Sequence, residues 1–309
     1  MITARRLFFV SLALLATLAP APALQKPAAA PAAPAALKGE ALLERVAVIG
    51  ASVSAGFRLG ADAQKVPLNL MRVIDAGLLA KHSPLLDSSS EMMFIDTLGS
   101  SKSAAKKLAK GDPTLVVALD YLFWFGYGAT WGGETERLAA LELGLKSLEG
   151  LSCPILLGDF PDMSSATKAK NPILPQQAVP DPETLAKLNE RLGVWAKEHA
   201  NVIVVPVSKL MGALLAGEEM RVGPNLWKKG TVSGLLQDDG LHPTLEGTTG
   251  MWLFAAERLF EARKDLPRSA LEPKAGTIAA KLAPELKLAV VDEPIQEKAG
   301  KTKPAKLVH

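Results

Sequence analysis

From residue 45 to residue 263 the chain alternates two kinds of pattern. Short stretches carry apolar side chains at successive positions and close on Gly, Pro or a polar residue, which reads as buried strand: residues 45–50, 92–96, 114–120, 154–158 and 201–206. Between them, apolar residues recur at helical spacing over about 67–81, 101–110, 134–148 and 182–199, with a last such stretch over 248–263. Strands apolar on both faces and separated by helices predict a parallel sheet covered on both sides. The expected fold is therefore α/β, a three-layer α/β/α sandwich around a central five-stranded parallel sheet.

The two ends follow other patterns. Residues 1–23 combine Arg5-Arg6, an apolar run over 7–18 and the small-x-small sequence Ala21-Pro22-Ala23, the three parts of an export signal in their usual order. The run is short for a membrane span, so the expectation is a periplasmic or secreted protein with no stable span after signal cleavage. Residues 24–38 are rich in Ala and Pro and read as a tether. The domain is expected over 39–263, followed by a flexible Lys/Ala/Pro-rich tail, 264–309, in which only 286–291 is apolar enough to dock on something.

Composition sharpens this outline at two points. The net charge of +3 resides in the tail, which holds nine basic and six acidic residues, and no basic stripe interleaved with aromatics appears. Nucleic acid is accordingly not an expected partner. A single cysteine, Cys153, excludes an intrachain disulfide and thiolate metal clusters, and the four histidines are widely spaced. No cofactor is expected, and oligomeric state is not readable.

The first strand runs into Gly50-Ala51-Ser52-Val53-Ser54-Ala55-Gly56. In a parallel sheet, ligands bind beyond the carboxyl ends of the strands, which puts Ser52 at the crevice. A dinucleotide fingerprint would need glycine at position 52, a P-loop would need Gly-Lys-Ser/Thr, and a G-x-S-x-G elbow would need glycine at position 54. Far along the chain stands Asp238-Asp239-Gly240-Leu241-His242-Pro243-Thr244. A serine hydroxyl needs a base to become a nucleophile, and a carboxylate three residues before a histidine can turn back to orient its ring. Asp238 is a rival orienter with a poorer spacing, while His82 and His199 read as solvent or helix-end residues.

Taken together, the two blocks resemble those of the SGNH hydrolase superfamily, the GDSL-type esterases and lipases, over roughly residues 44–263. The resemblance implies a flavodoxin-like α/β/α domain and hydrolysis of a small-molecule, lipid or carbohydrate ester. It assigns Ser52 as nucleophile, His242 as base and Asp239 as orienter. It also places the oxyanion against the N–H groups of Ser52 and Gly99, the latter in Asp96-Thr97-Leu98-Gly99-Ser100. The third block departs from the family: Leu119-Asp120-Tyr121-Leu122-Phe123-Trp124 contains no asparagine. Asp120, Tyr121, Trp124 and Tyr127 are the candidates to line the substrate pocket. Two alternatives stay open: a catalytically weak or inactive binding domain, and a divalent-metal site formed by Asp96, Asp120 and Asp159 at three strand ends.

Overall fold

The structure is a computed structural model that describes residues 37–59, 68–128 and 132–293. The export signal, and the tether up to residue 36, lie outside the described residues. Chain order begins with β1 (Val46–Val48), the short α1 (Ser52–Ala55), α2 (Leu70–Gly77), β2 (Leu86–Asp87), α3 (Thr97–Gly111) and β3 (Leu115–Ala118). Next come α4 (Phe123–Tyr127), α5 (Glu134–Leu148), β4 (Ile155–Gly158), α6 (Pro182–Glu198), β5 (Val202–Val205) and α7 (Val207–Leu215). The chain continues through β6 (Met220–Val222), β7 (Asn225–Trp227), α8 (Leu245–Ala262), α9 (Ala275–Leu282) and β8 (Val291–Asp292).

Strands β1 to β5 form one parallel sheet in the order β2-β1-β3-β4-β5. Alternation along each strand divides its side chains between two layers. Val46, Val48, Leu115, Val117 and Leu156 join a core with α2, α8 and α9, whereas Ala47, Val116, Ala118, Ile155 and Leu157 join a second core with α3, α5 and α6. This two-sided burial explains why these strands show no polar alternation in sequence. The helices begin where capping residues stand: Asn69 before α2, Asp96 before α3, Asp181 with Pro182 before α6, and Thr244 before α8.

The strand order sets the site. From β1 the chain crosses to β2 on one side and then to β3 on the other, so the connections diverge between β1 and β3. The turn after β1, which carries Ser52, and the turn after β3, which carries Asp120, face each other across that switch point.

Three expectations need correction. Residues 92–96 are not a strand: a 3-10 turn covers Glu91–Phe94, and the edge strand is the two-residue β2 upstream. An apolar run signals burial only by assumption, and here Met92, Phe94 and Ile95 are exposed. Helix α7 and the antiparallel sheet β6-β7-β8 were not expected. Residues 264–293 are not a flexible tail but part of the fold. Leu266, Leu271, Ala275 and Ile278 are buried, β8 pairs with β7, and the buried Glu246 carboxylate of α8 accepts the N–H groups of Ala289 and Val290.

Candidate active site

Ser52 is the first residue of α1, and its turn is locked from below. The Asp120 carboxylate accepts the N–H of Val53 at 2.9 Å and of Ser54 at 3.1 Å, and the Ser54 hydroxyl at 2.5 Å. Ser52 N–H is not among these donors. Burial pushes the Asp120 carboxyl up, against the lowering effect of its bonds with Ser54, Ala51 and Val53. A Cβ on Gly50 would run into Asp120 Oδ1 and Ser54 Oγ, so the missing side chain there is a condition of the lock.

His242 sits on the loop before α8, held by short-range bonds. Gln237 N–H donates to His242 O at 2.8 Å, Gly240 N–H donates to Gln237 O at 3.0 Å, and Gly240 turns the chain with φ +67. In this turn Asp239 Oδ1 accepts the N–H groups of Leu241 and His242 at 2.9 Å each, and Oδ2 lies 2.9 Å from His242 Nδ1. On the other side of the ring, Nε2 lies 2.8 Å from Ser52 Oγ. The structure thus brings Ser52, His242 and Asp239 into one hydrogen-bonded line, with exposures of 9%, 2% and 0%. The Phe57 ring covers His242 at a centroid distance of 4.4 Å, and Gln237 ties the Phe57 carbonyl to that of Pro243.

The electrostatics suit a proton relay. Burial raises the Asp239 carboxyl, but the bonds from His242 and Leu241 outweigh it and hold the group below the usual carboxylate range. An ionised Asp239 fixes the ring with Nδ1 protonated, which leaves Nε2 free to take a proton from Ser52.

Ser52 also borders a narrow cavity of about 70 Å³. Its walls are apolar: Leu210 and Leu214 from α7, Leu235 from the 3-10 turn that follows β7, Met251 from α8, and Met163 and Phe123. Asp159 borders it too, but its carboxylate is engaged by the Ser208 N–H and hydroxyl, each at 2.6 Å. Burial raises the Asp159 carboxyl, with Ser208 opposing.

The other sequence candidates fall elsewhere. Gly99 is exposed, and its N–H donates to the capping Asp96 carboxylate at 2.8 Å, so it is not free to face an oxyanion near Ser52. Tyr121 is buried against Ser147, and Tyr127 donates its hydroxyl to Pro161 O at 2.6 Å. Trp124 packs between Phe94 and Phe123. These three rings belong to the core, and Asp120 serves the turn more than the pocket. Phe123, stacked on Tyr127 at 4.2 Å, is the aromatic that reaches the cavity, together with α7, whose apolar face carried no chemical signal in sequence. The metal alternative also fails on placement. Asp96, Asp120 and Asp159 each serve a separate backbone turn, and no group of three metal-ligating side chains occurs among the described residues. Asp238 bonds Asn171, His82 lies against Ser83 O, and His199 stacks on Trp195, all outside the relay.

No family model matches the chain, and no curated protein matches it in sequence. Solved structures similar to it include a lipase/acylhydrolase from Enterococcus faecalis, 18% identical over 75% of this chain and 99% of that one, with a TM-score of 0.44. Others are a GDSL-like lipase from Bacteroides thetaiotaomicron (15%, 71% and 88%, TM-score 0.42) and a psychrotrophic esterase from Pseudoalteromonas sp. (15%, 72% and 97%, TM-score 0.41).

Proposed function

We propose that this chain is a serine ester hydrolase acting on esters with an apolar acyl group. The observation that carries the reading is the Ser52–His242–Asp239 line opening onto an apolar cavity. Ser52 Oγ attacks the ester carbonyl carbon while its proton passes to His242 Nε2. The tetrahedral intermediate collapses as His242 protonates the leaving alcohol, giving an acyl-Ser52 enzyme. Water then loses a proton to His242 and attacks the acyl carbon, and the second tetrahedral intermediate collapses with cleavage of the acyl–Ser52 bond as His242 returns the proton to Ser52 Oγ, releasing the carboxylic acid. Asp239 orients the ring and stabilises the imidazolium at each stage.

Ser52 N–H is the oxyanion donor in this scheme. Gly99 has no part in it, and the asparagine of the third block is absent, so turnover should be modest: one preorganised donor is worth about 3 kcal/mol in kcat. The cavity as it stands suits an acyl group of a few carbons, while its methionines can repack around a longer one. Export through residues 1–23 belongs to the same reading, supported by their three-part pattern. The test is hydrolysis of short-chain aryl esters by the wild type and by Ser52→Ala. The proposal expects the variant to fall by roughly 10⁴ or more; full activity in the variant overturns it.

A further inference from the structure

The segment that follows β2 exposes an unusual set of side chains. Met93 is buried, but Met92, Phe94, Ile95 and Leu98 around it are exposed by 54%, 53%, 72% and 41%. They fall within the span 92–98, across the 3-10 turn and the start of α3, where Asp96 is the helix cap, and form a third of the large exposed apolar residues in the described structure. Isolated exposed apolar side chains are ordinary, whereas a cluster marks a surface that meets something apolar.

The next stretch supplies the second observation. Helix α3 carries Lys102, Lys106, Lys107 and Lys110, all exposed, and no acidic residue. Among the described residues, only Lys107 of these has a partner, the Asp87 carbonyl at 2.5 Å. An apolar edge followed by a helix with several lysines and no acid is the arrangement by which peripheral proteins lie on lipid: the apolar side chains enter the acyl boundary and the ammonium groups meet anionic headgroups. Position matters as well. The turn packs against α1, Ser90 N–H donates to Gly50 O at 2.9 Å, and Phe94 rests on Trp124 with ring centroids 4.8 Å apart. The apolar edge therefore adjoins the turn that carries Ser52.

We propose that Met92, Phe94, Ile95 and Leu98, with the lysines of α3, dock the protein on the surface of an anionic lipid bilayer. The docking places the Ser52 turn close to a phase in which apolar esters dissolve. It does not depend on the esterase reading, because adsorption and hydrolysis are read separately.

The experiment uses the full chain with Ile95→Cys carrying an environment-sensitive fluorophore. A second label at Val194→Cys on the exposed side of α6 serves as control, and the unsubstituted chain corrects for labelling at Cys153. Each is mixed with vesicles of phosphatidylcholine alone or of phosphatidylcholine and phosphatidylglycerol in equal parts. The proposal expects a blue shift and a rise of roughly threefold or more at position 95 with the anionic vesicles, and little change at 194. Combining Lys102→Glu, Lys106→Glu and Lys110→Glu should weaken the response by roughly 100-fold in lipid concentration, and added salt should weaken it too.

No response at 95, or an equal response at 194, overturns the proposal. A label at 95 already shielded before vesicles are added also overturns it, by showing that another part of the chain or a second copy covers the surface. Short-chain ester hydrolysis measured on the same samples separates loss of docking from failure of the catalytic reading.

Discussion

Gly50 and Asp120 stand far apart in sequence, yet they act as one device beneath Ser52. The carboxylate collects two N–H groups and a hydroxyl from the turn, and only glycine at position 50 leaves room for it. Asp120→Asn replaces one acceptor oxygen with a donor facing N–H groups, which should cost about 1–3 kcal/mol of stability by thermal or urea unfolding. If Ser52 is the nucleophile, as proposed, its turn sets the attack geometry, and kcat should fall by roughly 100-fold, with KM little changed. Gly50→Ala should do at least as much, and normal kinetics in both variants would exclude the lock. A second expectation concerns pH. Asp239 is held below the usual carboxylate range, so it stays ionised at pH values where an ordinary carboxylate begins to take up a proton. The acid limb of log kcat/KM should then rise with a slope of one, and a slope of two would mean that Asp239 titrates in the same window. The same depression stabilises the fold above the unfolded carboxyl value of roughly 3.9 and is lost as pH falls through that value toward the folded one. That Ser52, His242 and Asp239 meet was legible because a serine after the first strand and an Asp-x-x-His turn near the end of the domain are residue types and spacings that suit one hydrogen-bonded line. Gly99 was misassigned because its placement depended on reading 92–96 as a strand.

At the scale of elements, burial decides what a sequence reveals. Strands β1, β3 and β4 lie inside the parallel sheet, and they and the edge strand β5 consist almost wholly of apolar residues, so all four stood out. Edge strand β2 spans two residues and leaves no pattern to read, whereas the exposed apolar turn over Glu91–Phe94 imitates a strand. Helix α7 went unread because it follows β5 after Pro206 alone and spans nine residues, six of them Val, Leu, Met or Ala, too few turns for a helical period to stand out. It is nevertheless the wall of the cavity, through Leu210 and Leu214. If the acyl group lies there, butyryl esters should be turned over faster than palmitoyl esters. Leu210→Ala should shift that preference toward longer chains by enlarging the cavity, while costing about 2–5 kcal/mol of stability. An unchanged chain-length profile in a folded Leu210→Ala variant would place the acyl group elsewhere.

At the scale of the whole molecule, the division between domain and tail moves from residue 263 to at least 293. Composition misled here, since Lys, Pro and Glu between 264 and 293 mask a helix, α9, whose Ala275, Ile278 and Ala279 are buried against α2 and α8. Ile278→Ala should cost about 2–5 kcal/mol, a Tm decrease on the order of 10 °C for a domain of this size. A chain ending at 263 should unfold or aggregate under conditions in which the full chain is stable. Tm values unchanged in both would return the segment to the role of a loose appendage. The central claim, that Ser52 is the activated nucleophile of an ester hydrolase, is tested most directly by treating the protein with an organophosphonate serine probe and locating the adduct by mass spectrometry. The account predicts one equivalent of probe on Ser52, prevented by Ser52→Ala and slowed strongly by His242→Ala. Unmodified Ser52, or labelling at the same rate without His242, would contradict it.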